Sequence, residues 1–132
     1  MITKKLIKIA SDTKNIGLTN KFSFKSSLKN LMCGDKIKLE LLVKNLKINS
    51  MKYETESCVY CEASASLLAN TIKNFNINST IKDLKKIKEI DYSNKITLPT
   101  HFKDFKILIN KKNINRIKCI NLPLDAVLKA LR

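Results

Sequence analysis

The sequence contains few of the residues that interrupt regular structure. Its 132 residues include two glycines, two prolines and no tryptophan. This scarcity excludes collagen-like and low-complexity chains, and an apolar content of 44% excludes an intrinsically disordered one. The longest uncharged stretch, Ala63 to Ile72, is far shorter than the roughly 20 residues that span a membrane. We therefore expect one folded domain over residues 1–132, without a membrane-spanning segment.

Arginine is almost absent, although the chain is strongly basic. The 26 basic and 11 acidic residues give a net charge of +15, but only Arg116 and Arg132 are arginines. Base recognition and bidentate phosphate contacts favour arginine over lysine. Lysine, asparagine and isoleucine, whose codons are rich in A and T, make up 55 of the residues, which indicates a compositional origin for the charge. We therefore do not expect nucleic acid as a partner, and a basic nucleic-acid-binding domain is the remote alternative.

The N-terminal segment lacks both a continuous apolar run and arginine. Within residues 1–10, lysines interrupt Leu6, Ile7 and Ile9, which predicts a short amphipathic helix rather than a secretory signal or a mitochondrial presequence. We therefore expect a cytoplasmic, reducing compartment. In such a compartment, four cysteines indicate metal or redox chemistry rather than a disulfide framework.

Alternating residues predict strands in the first half of the chain. Apolar residues alternate with polar ones over residues 37–43, with Glu40 on the polar face, and alternation returns over residues 51–56. The polar break at residues 44–47 predicts an antiparallel hairpin between these two strands. The pattern at residues 22–24 indicates a third strand upstream.

The second half has helical periodicity. Residues 63–72 contain no glycine or proline, Thr80 with Asp83 forms a capping-box pattern, and residues 124–131 carry leucines and valine at helical spacing after a predicted cap at Asn121. Strands followed by helices predict an α+β fold. We expect a small three-stranded antiparallel sheet with helices packed on one face.

Three cysteines fall at junctions between these predicted elements. Cys33 precedes the first long strand, Cys58 follows the second hairpin strand, and Cys119 opens the C-terminal helix. Junctions of this kind meet at one end of a sheet, and helix N-termini favour the thiolate form of cysteine. Together with Asp35, these cysteines would provide four ligands for zinc or an iron–sulfur cluster. Inert, buried cysteines are the alternative interpretation.

Three ordered motifs surround these cysteines. They are CGD at residues 33–35, YETESC at residues 53–58 and RIKC at residues 116–119. They resemble the motifs of the U-type iron–sulfur cluster scaffolds, the group of NifU N-terminal domains, IscU and SufU, and the resemblance covers most of the chain. Leu31 stands where this family usually has proline, and Ser57 stands where it usually has glycine.

The resemblance is nearer to SufU than to IscU. Lys118 precedes the third cysteine where IscU-type members carry a metal-binding histidine, and 60 residues separate Cys58 from Cys119, as in the SufU type. The LPTHFK segment at residues 98–103 is similar to a chaperone-recognition motif of IscU. That motif directly precedes the third cysteine in IscU, so we infer no chaperone binding here.

The resemblance implies a scaffold or sulfur acceptor in iron–sulfur cluster assembly. It implies Cys33, Asp35, Cys58 and Cys119 as ligands of a transient cluster or Zn²⁺. Cys33 and Cys119 are the candidate acceptors of persulfide sulfur from a cysteine desulfurase, and apo iron–sulfur proteins are the implied recipients. Such a scaffold is not itself an enzyme. The alternative is a zinc-dependent sulfurtransferase that never assembles a cluster.

Cys61 departs from the family pattern. With Cys58 it forms a C-x-x-C spacing, which is compatible with a redox pair, an additional metal ligand or a small buried side chain. We favour the buried side chain. The single histidine, His101, has no neighbouring residues that suggest a catalytic triad, and we expect a surface or packing role for it.

Overall fold

The computed structural model describes residues 2–132 as one three-stranded sheet with helices before and after it. The strand order is β1–β2–β3, and both pairings are antiparallel. This confirms the predicted α+β fold. No helix in residues 2–132 has the length and apolar character needed to cross a membrane. The elements are α1 (Lys4–Ala10), β1 (Phe24–Lys29), β2 (Lys36–Lys44), β3 (Lys47–Glu56), α2 (Val59–Thr71), α3 (Ile77–Lys88), two 3-10 helices (Thr100–Ile107 and Lys111–Arg116) and α4 (Ile117–Leu131).

The predicted hairpin joins β2 to β3 through a two-residue turn. Lys44 pairs with Lys47, and Asn45 and Leu46 both have positive φ, at 53° and 63°. Two consecutive left-handed residues match the twist of the flanking strands. The strand register shifts at Leu42, which is where the apolar alternation of the sequence is interrupted. The predicted N-terminal helix corresponds to α1, and Met1 lies outside the described residues.

Two details of the strand prediction are wrong. Phe22 precedes β1, which begins at Phe24. Glu40 lies on the polar face of β2, but its side chain is only 4% exposed. Its carboxylate accepts hydrogen bonds from the backbone N–H groups of Thr19 (2.8 Å) and Asn20 (2.9 Å). The segment before β1 therefore covers this face of the sheet, and strand alternation contains no information about such a cover.

The predicted start of α3 is also wrong. Thr80 and Asp83 do not cap the helix, because it begins at Ile77. The side chain of Asn76 accepts hydrogen bonds from the N–H groups of Asn78 (2.8 Å) and Ser79 (3.1 Å), which is the pattern of an N-cap residue. Thr80 is buried, and its hydroxyl donates to the Asn76 carbonyl.

The helix α4 begins four residues before the predicted cap at Asn121. Its first residue is Ile117, so Cys119 lies in the first turn. Pro123 falls inside the helix, and because it has no N–H group it cannot donate to the carbonyl of Cys119. The buried side chains of Leu122, Pro123 and Leu124 hold this part of the helix against the core.

Two serine hydroxyl groups fix α4 against its neighbours. Ser64 of α2 donates to the Ile120 carbonyl at 2.6 Å, and Ser26 of β1 donates to the Ala126 carbonyl at 2.6 Å. The helix also packs on β2 and α3, and α2 packs on α1. These contacts set the position of the first turn of α4 relative to the first turn of α2.

Candidate metal centre

The loop between β1 and β2 is closed by short backbone hydrogen bonds. The N–H of Asn30 donates to the Asp35 carbonyl at 2.7 Å, and the N–H of Gly34 donates to the Asn30 carbonyl at 2.7 Å. Gly34 has a φ of 77°, which favours glycine over residues with a side chain. Within this loop Cys33 is exposed, whereas Asp35, immediately before β2, is 5% exposed.

The other two predicted ligands lie at helix N-termini. Cys58 is the N-cap residue of α2 and is partly buried, and Cys119 lies in the first turn of α4 and is 6% exposed. The N–H of Cys58 donates to Asp35 Oδ1 at 3.2 Å, and its thiol donates to Asp35 Oδ2 at 3.5 Å. The Sγ atoms of Cys33 and Cys119 are 3.7 Å apart.

The structure brings three of the four predicted residues into one compact group. One ligand atom each from Cys33, Asp35 and Cys119 lies within 4.8 Å of the others. Cys58 is not part of this group of three and contacts it through Asp35. The three junctions between elements that the sequence predicted therefore meet at one end of the sheet.

Two of the separations between ligand atoms are those of tetrahedral zinc. Zinc–sulfur bonds of about 2.3 Å and zinc–oxygen bonds of about 2.0 Å place two thiolates about 3.8 Å apart, and a thiolate and a carboxylate oxygen about 3.5 Å apart. The Cys33–Cys119 and Cys58–Asp35 distances are 3.7 and 3.5 Å. Three sulfurs and one oxygen also suit iron, so the ligand types fit either metal.

The surroundings of Cys119 favour its protonated thiol. Burial raises its pKa, and the hydrogen bond with Cys33 and the nearby Cys58 and Asp35 raise it further. These effects oppose the helix N-terminus, which favours the thiolate. Because a bound dication stabilises thiolates directly, metal binding is the event that would deprotonate this residue.

The sequence model of the family described as "NifU-like N terminal domain" matches residues 1–131. The chain belongs to this family. The SufU subtype stays a prediction. A search of curated proteins gave no match.

Two solved structures show the same fold. A nitrogen-fixing NifU-like protein (N-terminal) from Brucella abortus has a TM-score of 0.87 and 18% identity, and the match covers 98% of this chain and 91% of that one. A protein from Fervidobacterium islandicum AW-1, described as a candidate iron–sulfur cluster assembly scaffold for the SUF system, has a TM-score of 0.77 and 22% identity. That match covers 99% of this chain and 96% of the other. At these identities the likeness concerns the fold alone.

The surface beside the cysteines is apolar and basic, and the sequence patterns did not predict it. Leu31 and Met32 are 87% and 81% exposed, immediately before Cys33. Met32, Cys33 and Cys119 line a cavity of about 560 Å³ together with Arg116 and other residues of that segment. The one signal in the sequence is the replacement of the usual family proline by Leu31.

The side chains of Cys61 and His101 both pack against other residues of the protein. Cys61 is 0% exposed, and burial raises the pKa of its thiol to about 12, which agrees with our interpretation of a small buried side chain. The ring of His101 stacks on Phe75, with 3.7 Å between the ring centroids. Its Nε2 lies 2.6 Å from the Thr71 carbonyl, so this nitrogen already has a partner in the protein.

Proposed function

We propose that this chain is an iron–sulfur cluster assembly scaffold that binds a nascent cluster or Zn²⁺ through Cys33, Asp35, Cys58 and Cys119. The observation that carries the proposal is the convergence of Cys33, Asp35 and Cys119 within 4.8 Å, in a member of the NifU-like family. The contact between Cys58 and Asp35 supports Cys58 as the fourth ligand. The whole chain, residues 1–132, acts as one scaffold domain.

The ligand set suits a protein that must release what it binds. Three thiolates hold iron or zinc firmly, whereas one carboxylate exchanges more readily than a fourth thiolate would. Asp35 is anchored by the N–H of Cys58, so its oxygens stay beside the metal position while they exchange. Recipient apo iron–sulfur proteins would then take the cluster from the exposed Cys33 side.

Cys33 is the first acceptor of sulfur in this proposal. Its thiolate attacks the outer sulfur of a cysteine persulfide on the donor, the donor's S–S bond breaks, and the donor leaves as a thiolate. Cys33 is exposed, whereas Cys119 is buried, with its Sγ 3.7 Å from that of Cys33. Cys119 is therefore the second acceptor.

The sulfur donor in this proposal is a cysteine desulfurase. The exposed side chains of Leu31, Met32 and Ile114 give such a protein an apolar contact next to Cys33, and Arg116 and Lys118 add positive charge. All four cysteines are free thiols, which suits a reducing, cytoplasmic compartment.

Metal analysis after anaerobic purification and cluster reconstitution tests the scaffold function. We expect bound zinc, or iron with sulfide, in the unchanged chain, and loss of the metal in Cys58→Ala and in Cys33→Ala. Cys61→Ala is the matched control, because Cys61 lies three residues after Cys58 in α2 and is fully buried, whereas Cys58 contacts Asp35. Absence of zinc, iron and sulfide under every condition, or equal loss in Cys61→Ala, would contradict the proposal.

A zinc-dependent sulfurtransferase is the second candidate function. Lys118 precedes Cys119 where IscU-type members carry a metal-binding histidine, and this observation favours a zinc form. The two functions differ in one measurement. A sulfurtransferase stimulates cysteine turnover by a desulfurase when it is loaded with zinc and never forms a cluster, whereas a scaffold yields a cluster that passes to an apo protein.

A further inference from the structure

A second surface groove, separate from the metal centre, has four lysines on its walls. Lys95 comes from the loop after α3, Lys103 and Lys106 come from the first 3-10 helix, and Lys111 opens the second one. They surround a cavity of about 810 Å³, which we call the lysine groove. This volume is far larger than a single phosphate ion needs and suits a segment of several residues.

The charge of the lysine groove is not compensated by the protein itself. The ion pairs found in residues 2–132 are Lys36–Glu56 and Lys88–Asp125, and neither includes a lysine of the groove. The groove between α3 and α4 is also basic, but it contains a carboxylate, Asp125, which pairs with Lys88. The four positive charges of the lysine groove therefore favour an anionic partner.

The floor of the lysine groove identifies the kind of anion. We assign the floor to Ile96, Leu98 and Ile109, which are the aliphatic lining residues and are buried or partly buried, whereas the lysines are exposed. The residues that line the groove include no aromatic side chain and no arginine. Single-stranded nucleic acids bind on aromatic platforms, and phosphate forks are recognised by arginine. An aliphatic floor instead buries aliphatic side chains, and the surrounding lysines pair with carboxylates.

We propose that the lysine groove binds an acidic segment of a partner protein that alternates carboxylate and aliphatic side chains. The aliphatic side chains lie on Ile96 and Leu98, and the carboxylates face the four lysines. In this proposal, four of the lysines that make up the positive charge bind a partner protein. The interaction does not depend on the function of the cysteines.

Binding of a labelled synthetic peptide tests this proposal. The probe is a peptide of about 14 residues made of glutamate and leucine, and its fluorescence anisotropy is measured at about 150 mM salt. We expect the combined change Lys95→Gln, Lys103→Gln, Lys106→Gln and Lys111→Gln to raise the Kd by about tenfold. The matched control changes four exposed lysines elsewhere, Lys4, Lys5, Lys8 and Lys82, to glutamine, and we expect it to change the Kd by less than about twofold.

Two further probes separate the contributions of floor and walls. Leu98→Ser should raise the Kd of the glutamate–leucine peptide more than that of a glutamate–serine peptide of equal charge. Only the first peptide has aliphatic side chains that contact the floor. If the four groove substitutions and the four control substitutions raise the Kd equally, overall charge explains the binding and the proposal is overturned. Tighter binding of a single-stranded DNA of similar length, lost with the same four groove lysines, would overturn it in favour of a nucleic-acid site.

Discussion

Asp35 differs from the three cysteines in how firmly it holds a metal. Its carboxylate is buried and contacts both the N–H and the thiol of Cys58. We predict that Asp35→Cys slows the transfer of bound zinc to a chelator by about tenfold or more, because a fourth thiolate is a softer and more persistent ligand. Stopped-flow chelator competition measures this rate. An unchanged release rate would show that Asp35 does not limit release, and Cys61→Ala serves as the control.

Cys61 makes the stability of the metal-free protein depend on pH. Its pKa is raised from 9.0 to about 12, so the folded chain keeps a proton that the unfolded chain loses above pH 9. The stabilisation is complete below pH 9 and is lost as the pH rises towards 12. Between pH 8 and 10, the free energy of unfolding should fall by about 1.4 kcal/mol more in the unchanged chain than in Cys61→Ala. Urea unfolding at both pH values measures the difference, and parallel decreases in the two proteins would contradict it.

At the scale of the element, Asn76 rather than Thr80 determines where α3 begins. Its side chain accepts two N–H groups of the first turn. We predict that Asn76→Ala lowers the free energy of unfolding by about 1 kcal/mol, the usual contribution of an N-cap. Asp83→Ala should change it by less than about 0.5 kcal/mol, because Asp83 caps nothing. Urea unfolding compares the two variants. A larger decrease in Asp83→Ala would contradict this assignment and support the capping box predicted from Thr80 and Asp83.

The sequence predicted the sheet more accurately than the helix boundaries. Strand alternation and the polar turn at Asn45 are local signals, and the hairpin follows them. The helix starts were ambiguous, because Asn76 and Thr80 are both acceptable N-cap residues. Burial of Thr80 in the core decides between them, and burial is a tertiary property. Asn121 followed by Pro123 likewise has the composition of a helix start, although α4 begins at Ile117.

At the scale of the whole molecule, the metal centre depends on contacts distant in the sequence. The residues of the Cys33–Cys119 contact are 86 positions apart, and Ser64 and Ser26 fix the helix that carries Cys119. Spacing alone indicated only that the cysteines lie at junctions, and the family motifs indicated which of them belong together. The exposed Leu31 and Met32 and the lysine groove were not predictable, because exposure depends on the completed fold.

The core of the protein is formed without the metal centre. Aliphatic and aromatic side chains from every α-helix and from β2 and β3 are buried together, including Leu6, Leu41, Leu68, Leu84 and Val127. We therefore predict that the metal-free chain stays folded, unlike small zinc domains that unfold without metal. Far-UV circular dichroism should be unchanged after treatment with a chelator, and loss of the helical signal would contradict the prediction.

Bound zinc should nevertheless stabilise the folded chain, because the four ligands meet only when the chain is folded. At a free zinc concentration about 1,000 times the Kd, the free energy of unfolding should rise by about 4 kcal/mol, with a matching rise in Tm. Cys33→Ala removes an exposed side chain from the loop before β2, so it should leave the Tm of the metal-free protein nearly unchanged. Because it also removes a ligand, it should abolish most of the increase in Tm that zinc causes. Cys61→Ala should lower the metal-free Tm, because it removes a buried side chain, and retain the full rise. Thermal unfolding with and without zinc compares the three proteins, and an equal rise in Cys33→Ala would mean that zinc binds elsewhere.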